Sequence, residues 1–390
     1  MRINIFYYSM FKKVAVILVN YKDYARHFLE ECRDSLRAQN YPKESYAVYI
    51  IDNDSSKETR EYLKETYPEA IIIPRSDGLP AGQTGNYAAA NNVGIKRGRE
   101  DGCELFIIAN MDTKFDPAWL SELVKAAKSD ARAGIAQSKI LLYPKTEEER
   151  KRPKINSLGN IIHYLGFGFT SCYGEEEKSP LPFPHPVRDR LFNKGGKNGY
   201  PEIKGYASGC SFLIKKEVLD KIGGYNEEFY MYHDDMEISW KTKLAGYKII
   251  LAPASVAYHK YDFDRSIQML YYMERNRYLA IFIFYRLPTL FLILPAAIFM
   301  EAGMLFYSLV GGWFKTKIKI YGYFLKRESW KRILKARKES AAIRKVGDNK
   351  IADDFSGRVL FQEISNPILK YFANPILDIY WRVAKRFIFW

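Results

Sequence analysis

Between Val14 and about Ser138 the chain alternates short apolar runs with amphipathic stretches. Val14–Val19, Tyr46–Ile51, Ala70–Ile73 and Leu105–Ala109 have the length and composition of buried strands. Between them, Ala25–Ala38, Glu58–Glu65 and Ala88–Arg99 carry apolar residues at helical spacing. This alternation predicts an α/β fold: a mostly parallel sheet with helices on both faces. Tyr143–Tyr200 is rich in Pro, Gly, Glu and Lys and reads as an excursion with a flexible loop, Asn156–His163 being its best candidate for order. Order then resumes with strands at Gly209–Ile214 and Lys248–Leu251 and helices at Lys215–Lys221 and Asp235–Leu244.

In such sheets ligands bind beyond the carboxyl ends of the strands. Here Val14–Val19 runs into Asn20 and Tyr21, Tyr46–Ile51 into Asp52, Asn53 and Asp54, and Leu105–Ala109 into Asn110, Met111 and Asp112. Turn chemistry alone accounts for any one of these; three on one edge predict a polar ligand site. A strand-end carboxylate such as Asp112 suits a hard divalent cation bridging a diphosphate. His259 is either a further ligand or a structural imidazole. Asp234, Asp235 and Glu237 place three carboxylates within four positions, which repel unless a cation or a shared proton offsets them. Two readings stand side by side: a capping box with Asp234 as N-cap and Glu237 three residues on, or a carboxylate that acts as general base toward an acceptor hydroxyl.

Charge adds a second theme. The formal charge is +15, and Lys315 to Lys345 alone holds twelve Lys or Arg against Glu328 and Glu339. This basic stretch directly follows Leu287–Gly312, which is apolar apart from Glu301 and carries Pro288 and Pro295. The run is long enough to span a bilayer, but an acid near its centre costs about 3 kcal/mol on insertion scales. Interfacial or re-entrant helices are therefore favoured over a span. Ile364–Trp390 mixes aromatics with Lys370, Arg382, Lys385 and Arg386, which suits a bilayer interface; a core helix or a homodimer contact is the alternative. A nucleic-acid partner is not expected, because basic and aromatic residues are not interleaved on one folded platform. Scattered Cys32, Cys103, Cys172 and Cys210 read as reduced thiols. Residues 1–13 lack a signal-peptide pattern, so the expected location is the cytoplasmic face of a membrane.

The motifs also form an ordered set. It runs through Val19-Asn20-Tyr21, Ile51 to Ser56, Asn86 to Ile95, Ala109 to Thr113, Ser208 to Lys216, Gly223 to Lys241, His259 and Glu274-Arg275-Asn276. From Val14 to Asn276 this set resembles glycosyltransferase family 2, in particular its rhamnosyltransferase-like bacterial branch. The resemblance implies a GT-A fold with a Rossmann-like nucleotide-binding sheet and a helical, membrane-associated C-terminal region. The implied domains are an extension (1–13), a catalytic domain (14–276), apolar then basic helices (277–345) and an amphipathic end (346–390). Asn20, Tyr21, Asp52, Asn53, Asn91, Asn110 and Asp112 would lie around a nucleotide-sugar donor, and Asp112 with His259 would hold Mg or Mn. Ser208, Gly209, Cys210 and Glu237 would face a glycan or lipid-linked acceptor, and Asp235, beside Asp234, would be the base of an inverting displacement. Several positions depart from the family pattern: its Glu-Asp becomes Asp234-Asp235, the later Asp becomes Glu237, Arg becomes Lys241, and Asp54 and Asn86 stand where Gly is usual. The altered acids keep open an alternative, a non-catalytic transferase-like protein that binds at a membrane surface.

Overall fold

The computed structural model describes residues 13–75, 85–177, 192–193, 199–261, 270–360 and 367–390. Apart from Lys13 the extension expected at 1–13 lies outside the described residues, as do 178–191 and 194–198 of the expected loop and 364–366 of the C-terminal segment.

Strands β1 (Val14–Tyr21), β2 (Tyr46–Asn53), β3 (Ile71–Pro74) and β4 (Leu105–Ala109) form the parallel half of an 11-stranded sheet, in the spatial order β3-β2-β1-β4. Helices α1 (Tyr24–Arg37), α2 (Lys57–Thr66) and α3 (Tyr87–Glu100) connect them. Both faces of this half are covered, so β2 and β4 are buried throughout and read as continuous apolar runs. Alternate residues of β1 enter separate cores: Ala15, Ile17 and Val19 pack on one face, Val14, Val16 and Leu18 on the other.

The parallel arrangement expected from the Val14 to Ser138 pattern is present in β1–β4, and beyond β4 the sheet becomes mixed. Its further strands are β5 (Thr113–Phe115), β6 (Ala133–Leu142), β7 (Ile155–Ser157), β10 (Phe192–Asn193), β11 (Glu202–Ile203), β12 (Ser211–Lys215) and β13 (Lys248–His259), with β8 (Asn160–Ile162) and β9 (Gly168–Thr170) forming a separate hairpin. β12 lies between β4 and β6 and runs antiparallel to both. The reason is topological. β6 ends at the carboxyl edge, the chain makes its excursion there, and β12 must re-enter the sheet from that edge. β13 is three times longer than Lys248–Leu251 suggests; its register with β6 shifts between Ala252 and Val256, around Pro253, and then continues to His259.

A third core joins the β8–β9 hairpin and the segment Phe229–Leu244 to the chain from Leu279 onward. Its longer helices are α5 (Asp234–Leu244), α6 (Leu270–Phe284), α7 (Leu287–Val310), α8 (Phe314–Leu325), α9 (Arg327–Ile343) and α10 (Asn374–Ala384), α4 (Trp119–Ser129) lying against β6 and β13 instead. Trp240 of α5 packs on Phe284, Tyr285 and Phe355, and Tyr164 stacks on Trp381 at 4.5 Å. The boundary expected after Asn276 therefore falls inside α6.

Candidate functional site

The register brings the expected strand ends together. Asn20 pairs with Asp52 across β1 and β2, Ala109 at the end of β4 lies between Leu18 and Ser211, and His259 pairs with Thr113. Asn20, Asp52 and the start of α1 lock one another: Asn20 Nδ2 donates to Asp52 Oδ1 at 3.1 Å, and Asn20 Oδ1 accepts from the Ala25 N–H at 2.8 Å. Both side chains are fully buried, so they shape the edge rather than line it. Tyr21, 40% exposed, reaches the surface there, and so in part do two arginines that sequence reasoning missed. Arg60 Nε donates to Asp52 Oδ2 at 3.1 Å, and Arg75 donates to Asn53 Oδ1 at 2.7 Å. The sequence signal for Arg75 was its place directly after a strand; for Arg60 there was none.

Asn91 is also fully buried, inside α3, and donates to the Tyr87 carbonyl at 3.0 Å. It is linked to the edge through Tyr87, whose hydroxyl donates to Asn110 Oδ1 at 3.1 Å, while its own Oδ1 is buried without a hydrogen-bond partner among the described residues. Asp54 holds φ +66°, the left-handed conformation that explains why Gly suits this turn. Asp54→Gly is expected to leave the fold intact, whereas Asp54→Val should cost roughly 1–2 kcal/mol, read as a lower urea midpoint.

Asp112 and His259 meet as a pair. His259 Nε2 lies 3.3 Å from Asp112 Oδ1, and the other ring nitrogen is hydrogen-bonded to Asn156 Oδ1 at 2.9 Å. With Nδ1–H fixed on Asn156, Nε2 can present a lone pair toward the carboxylate's position, the orienting arrangement typical of metal-ligating histidines. Burial opposes charge on His259, but Cys210 and Asp112 outweigh it and raise the imidazole well above its usual range; a cation would take the place of that proton. Among the described residues no group of three or more His, Cys, Asp or Glu is arranged around a metal position. Two protein ligands still fit a hard cation, which takes its remaining oxygens from substrate phosphates and water.

The acidic trio divides. The N-cap of α5 is His233, at φ 60°, and Asp234 is the first helical residue, so no capping box forms. Glu237 is buried, pairs with Lys241 at 2.8 Å and accepts from the Asn226 N–H at 3.4 Å. These bonds brace α5 with Glu237 held 1% exposed, away from the surface where an acceptor was expected to meet it. Asp235 is half-buried and accepts from the Gly209 N–H at 3.0 Å and the Met236 N–H at 2.8 Å. Desolvation pushes its carboxyl up to about 6 against the pull of those N–H groups. Burial, and then the Asp235 charge, push Asp234 well above the usual range. Of the two carboxyls, Asp234 is thus the one whose charged form its surroundings disfavour more. Ser208 and Cys210 flank the Gly209 anchor: the Ser208 N–H donates to Gln137 Oε1 at 2.9 Å, and the Cys210 carbonyl accepts from the Asn110 N–H at 3.0 Å. A cavity of about 620 Å³ opens beside His259, with Tyr143, Lys145, Lys154, Tyr173 and Lys260 among its walls.

A family model described as "Glycosyl transferase family 2" matches residues 15–223, more than half of the chain, and ends before α5. An N-acetylglucosaminyl-diphospho-decaprenol L-rhamnosyltransferase of Mycobacterium tuberculosis is 24% identical over 227 residues, covering 55% of this chain and 66% of that protein. The O-antigen biosynthesis protein RfbC of Myxococcus xanthus is 26% identical over 237 residues, 60% of this chain and 16% of RfbC. The chain thus spans just under two thirds of the first relative and a small part of the second. Among solved structures, a mannosyltransferase of Pyrobaculum calidifontis in complex with GDP-Man and Mn2+ superposes with a TM-score of 0.45 at 16% identity, covering 85% of each chain.

Proposed function

The chain belongs to glycosyl transferase family 2, and from that premise we propose an inverting hexosyl- or rhamnosyltransferase that uses a nucleotide-sugar donor and a glycan or lipid-linked glycan acceptor in cell-surface polysaccharide assembly. The observation that carries this reading is Asp235: a half-buried carboxylate, raised to about 6, held by the Gly209 N–H on the edge that also presents Asp112 and His259. Such a group is ionised at neutral pH yet basic enough to take a proton from a hydroxyl. The acceptor oxygen then attacks the anomeric carbon opposite the leaving nucleoside diphosphate, and one displacement inverts the configuration. Arg60 and Arg75 offer positive charge at the donor end. Asp112 and His259 would hold a Mg or Mn ion, which supplies charge stabilisation to the leaving diphosphate. The mycobacterial relative's name describes a saccharide on a lipid diphosphate; the cavity beside His259, with its lysines and tyrosines, has the polarity for an acceptor of that class.

The test is a thermal-shift and calorimetric screen of nucleotide-sugars with and without manganese. One donor should stabilise the protein, and both chelation and Asp112→Ala should weaken its binding at least tenfold, on the order of what even outer-shell changes cost a metal site. Donor affinity unchanged by EDTA would overturn the metal assignment.

Attachment to a membrane is the second part of the proposal. Of the large hydrophobic side chains exposed among the described residues, all but Tyr21 lie at or beyond Leu287. α7 is buried along one stripe, Thr289, Ile293, Ala296, Met300 and Ser308, and presents Phe291, Leu294, Ile298, Phe306 and Leu309 outward. Glu301 turns inward onto Lys317 at 2.8 Å and the Tyr278 and Tyr321 hydroxyls, so it puts no charge on the outward face. Nine of the twelve basic residues from Lys315 to Lys345 are exposed; Lys317, Arg337 and Arg344 bond internally instead. An apolar face rimmed by cations suits docking into one leaflet of an anionic bilayer on the cytoplasmic side.

A further inference from the structure

The triplet Glu274-Arg275-Asn276 takes no part in the chemistry above, yet all three side chains are buried in α6. The Asn276 carboxamide is fully engaged. Its Oδ1 accepts from Arg275 Nε at 3.0 Å and from the same guanidinium's terminal nitrogen at 2.8 Å, which fixes the amide's orientation. Its Nδ2 faces three carbonyls: Phe229 at 2.6 Å, Met231 at 2.9 Å and Tyr232 at 2.7 Å. Arg275 adds bonds to the Glu228 and Phe229 carbonyls at 2.6 and 3.3 Å.

Those carbonyls belong to the segment that leads directly into Asp234 and Asp235. In it Tyr230, Tyr232 and His233 hold φ of 65°, 60° and 60°, a left-handed conformation that L side chains rarely keep unless their surroundings over-determine it. His233 is the N-cap of α5, so its conformation sets the direction in which the helix starts and hence where the two carboxyls fall. The platform beneath is itself fixed: Glu274 pairs with Arg277 and, at 2.8 Å, with the fully buried Lys317.

We propose that Asn276, backed by Arg275, is a positioning residue for the Asp234–Asp235 pair: it clamps the carbonyls of Phe229–Tyr232 so that α5 begins with Asp235 against the Gly209 N–H. The proposal rests on Asp235 being the base. Asn276→Asp is nearly isosteric but turns an oxygen toward the three carbonyls. It should lower kcat for transfer about 100-fold, as misplacement of a reacting group by about 1 Å does, while the Kd of the donor stays within about twofold. Arg275→Lys, a milder change, should show the same split with a loss of about tenfold, and it carries the test if the Asp variant does not fold. The control is Asp348→Asn. Asp348 is equally buried and bonded, to the Arg286 N–H, Thr289 and Arg344, but it does not touch the Phe229–His233 segment. At matched loss of Tm the control should keep its kcat; if it loses kcat equally, Asn276 is merely structural and the proposal fails. If Asp235→Asn is inactive while both clamp variants turn over at the wild-type rate, the clamp fails and the base stands. If Asp235→Asn itself stays active, the base reading fails and takes the clamp with it.

Discussion

Asp235→Asn is expected to lower sugar transfer by about 10²–10⁴-fold, the usual loss when a general base is removed, with donor affinity within about twofold of wild type. The amide oxygen can still accept from the Gly209 N–H, giving up the Met236 N–H that the second carboxylate oxygen takes, so the loop before β12 keeps its anchor and the loss is chiefly one of basicity. Asp234→Asn should do much less, below about tenfold, because burial and the neighbouring Asp235 disfavour the ionised form of Asp234. The pH dependence follows from the same environment. Burial raises Asp235 to about 6, and the base must be ionised, so kcat should be level above that pH and fall tenfold per unit below it. Steady-state transfer measured from pH 5 to 8 for the wild type and both variants checks the set. A wild-type rate in the Asp235 variant would return the role to Asp234 or to a group not yet considered.

Half of the architecture was legible because half of it obeys a simple rule. β1, β2 and β4 are buried on both faces, so their apolar runs are unbroken and their polar ends stand out. β6 escaped notice because Gln137, Ser138 and Lys139 interrupt it. Each of those has a distant partner that no local pattern reveals: Gln137 takes the Ser208 N–H, Ser138 bonds Ser211 and Ser255, and Lys139 pairs with Glu177. The acidic block was legible as chemistry but not as geometry. A capping box was a sound local reading of Asp234 and Glu237; what defeats it is a left-handed His233, which no residue preference announces. Likewise the triplet ending in Asn276 was recognisable as a motif, but its function lies in contacts with carbonyls more than forty positions away. Glu301 shows the same limit on the membrane side. Its place in the centre of an apolar run argued against a span, and its inward pairing with Lys317 removes that argument without supplying one for a span.

Attachment is better tested by surface substitution than by truncation. Cutting the chain near Asn276 would split α6 and strip Phe284, Tyr285 and Phe355 from Trp240, so an insoluble catalytic half is the expected product. Phe291, Ile298 and Phe306 are 73%, 61% and 65% exposed on the outward face of α7, and replacing all three with Ser should leave the fold almost untouched. Each removes about 1.5 kcal/mol of burial in the bilayer, at the low end for side chains of this size. Together that is about 4.5 kcal/mol, a drop of more than about a thousandfold in partitioning onto vesicles. Sedimentation with anionic vesicles at low salt should therefore pellet the wild type and leave the triple variant in the supernatant. Donor binding should be equal in the two, and transfer to a water-soluble acceptor analogue should survive while transfer to a lipid-linked one collapses. Raised salt should weaken the wild type only in part, because it screens the lysines and arginines but not the apolar face. A wild-type protein that stays in the supernatant at low salt, without detergent, would turn the exposed face of α7 and α10 into a contact between copies of the chain.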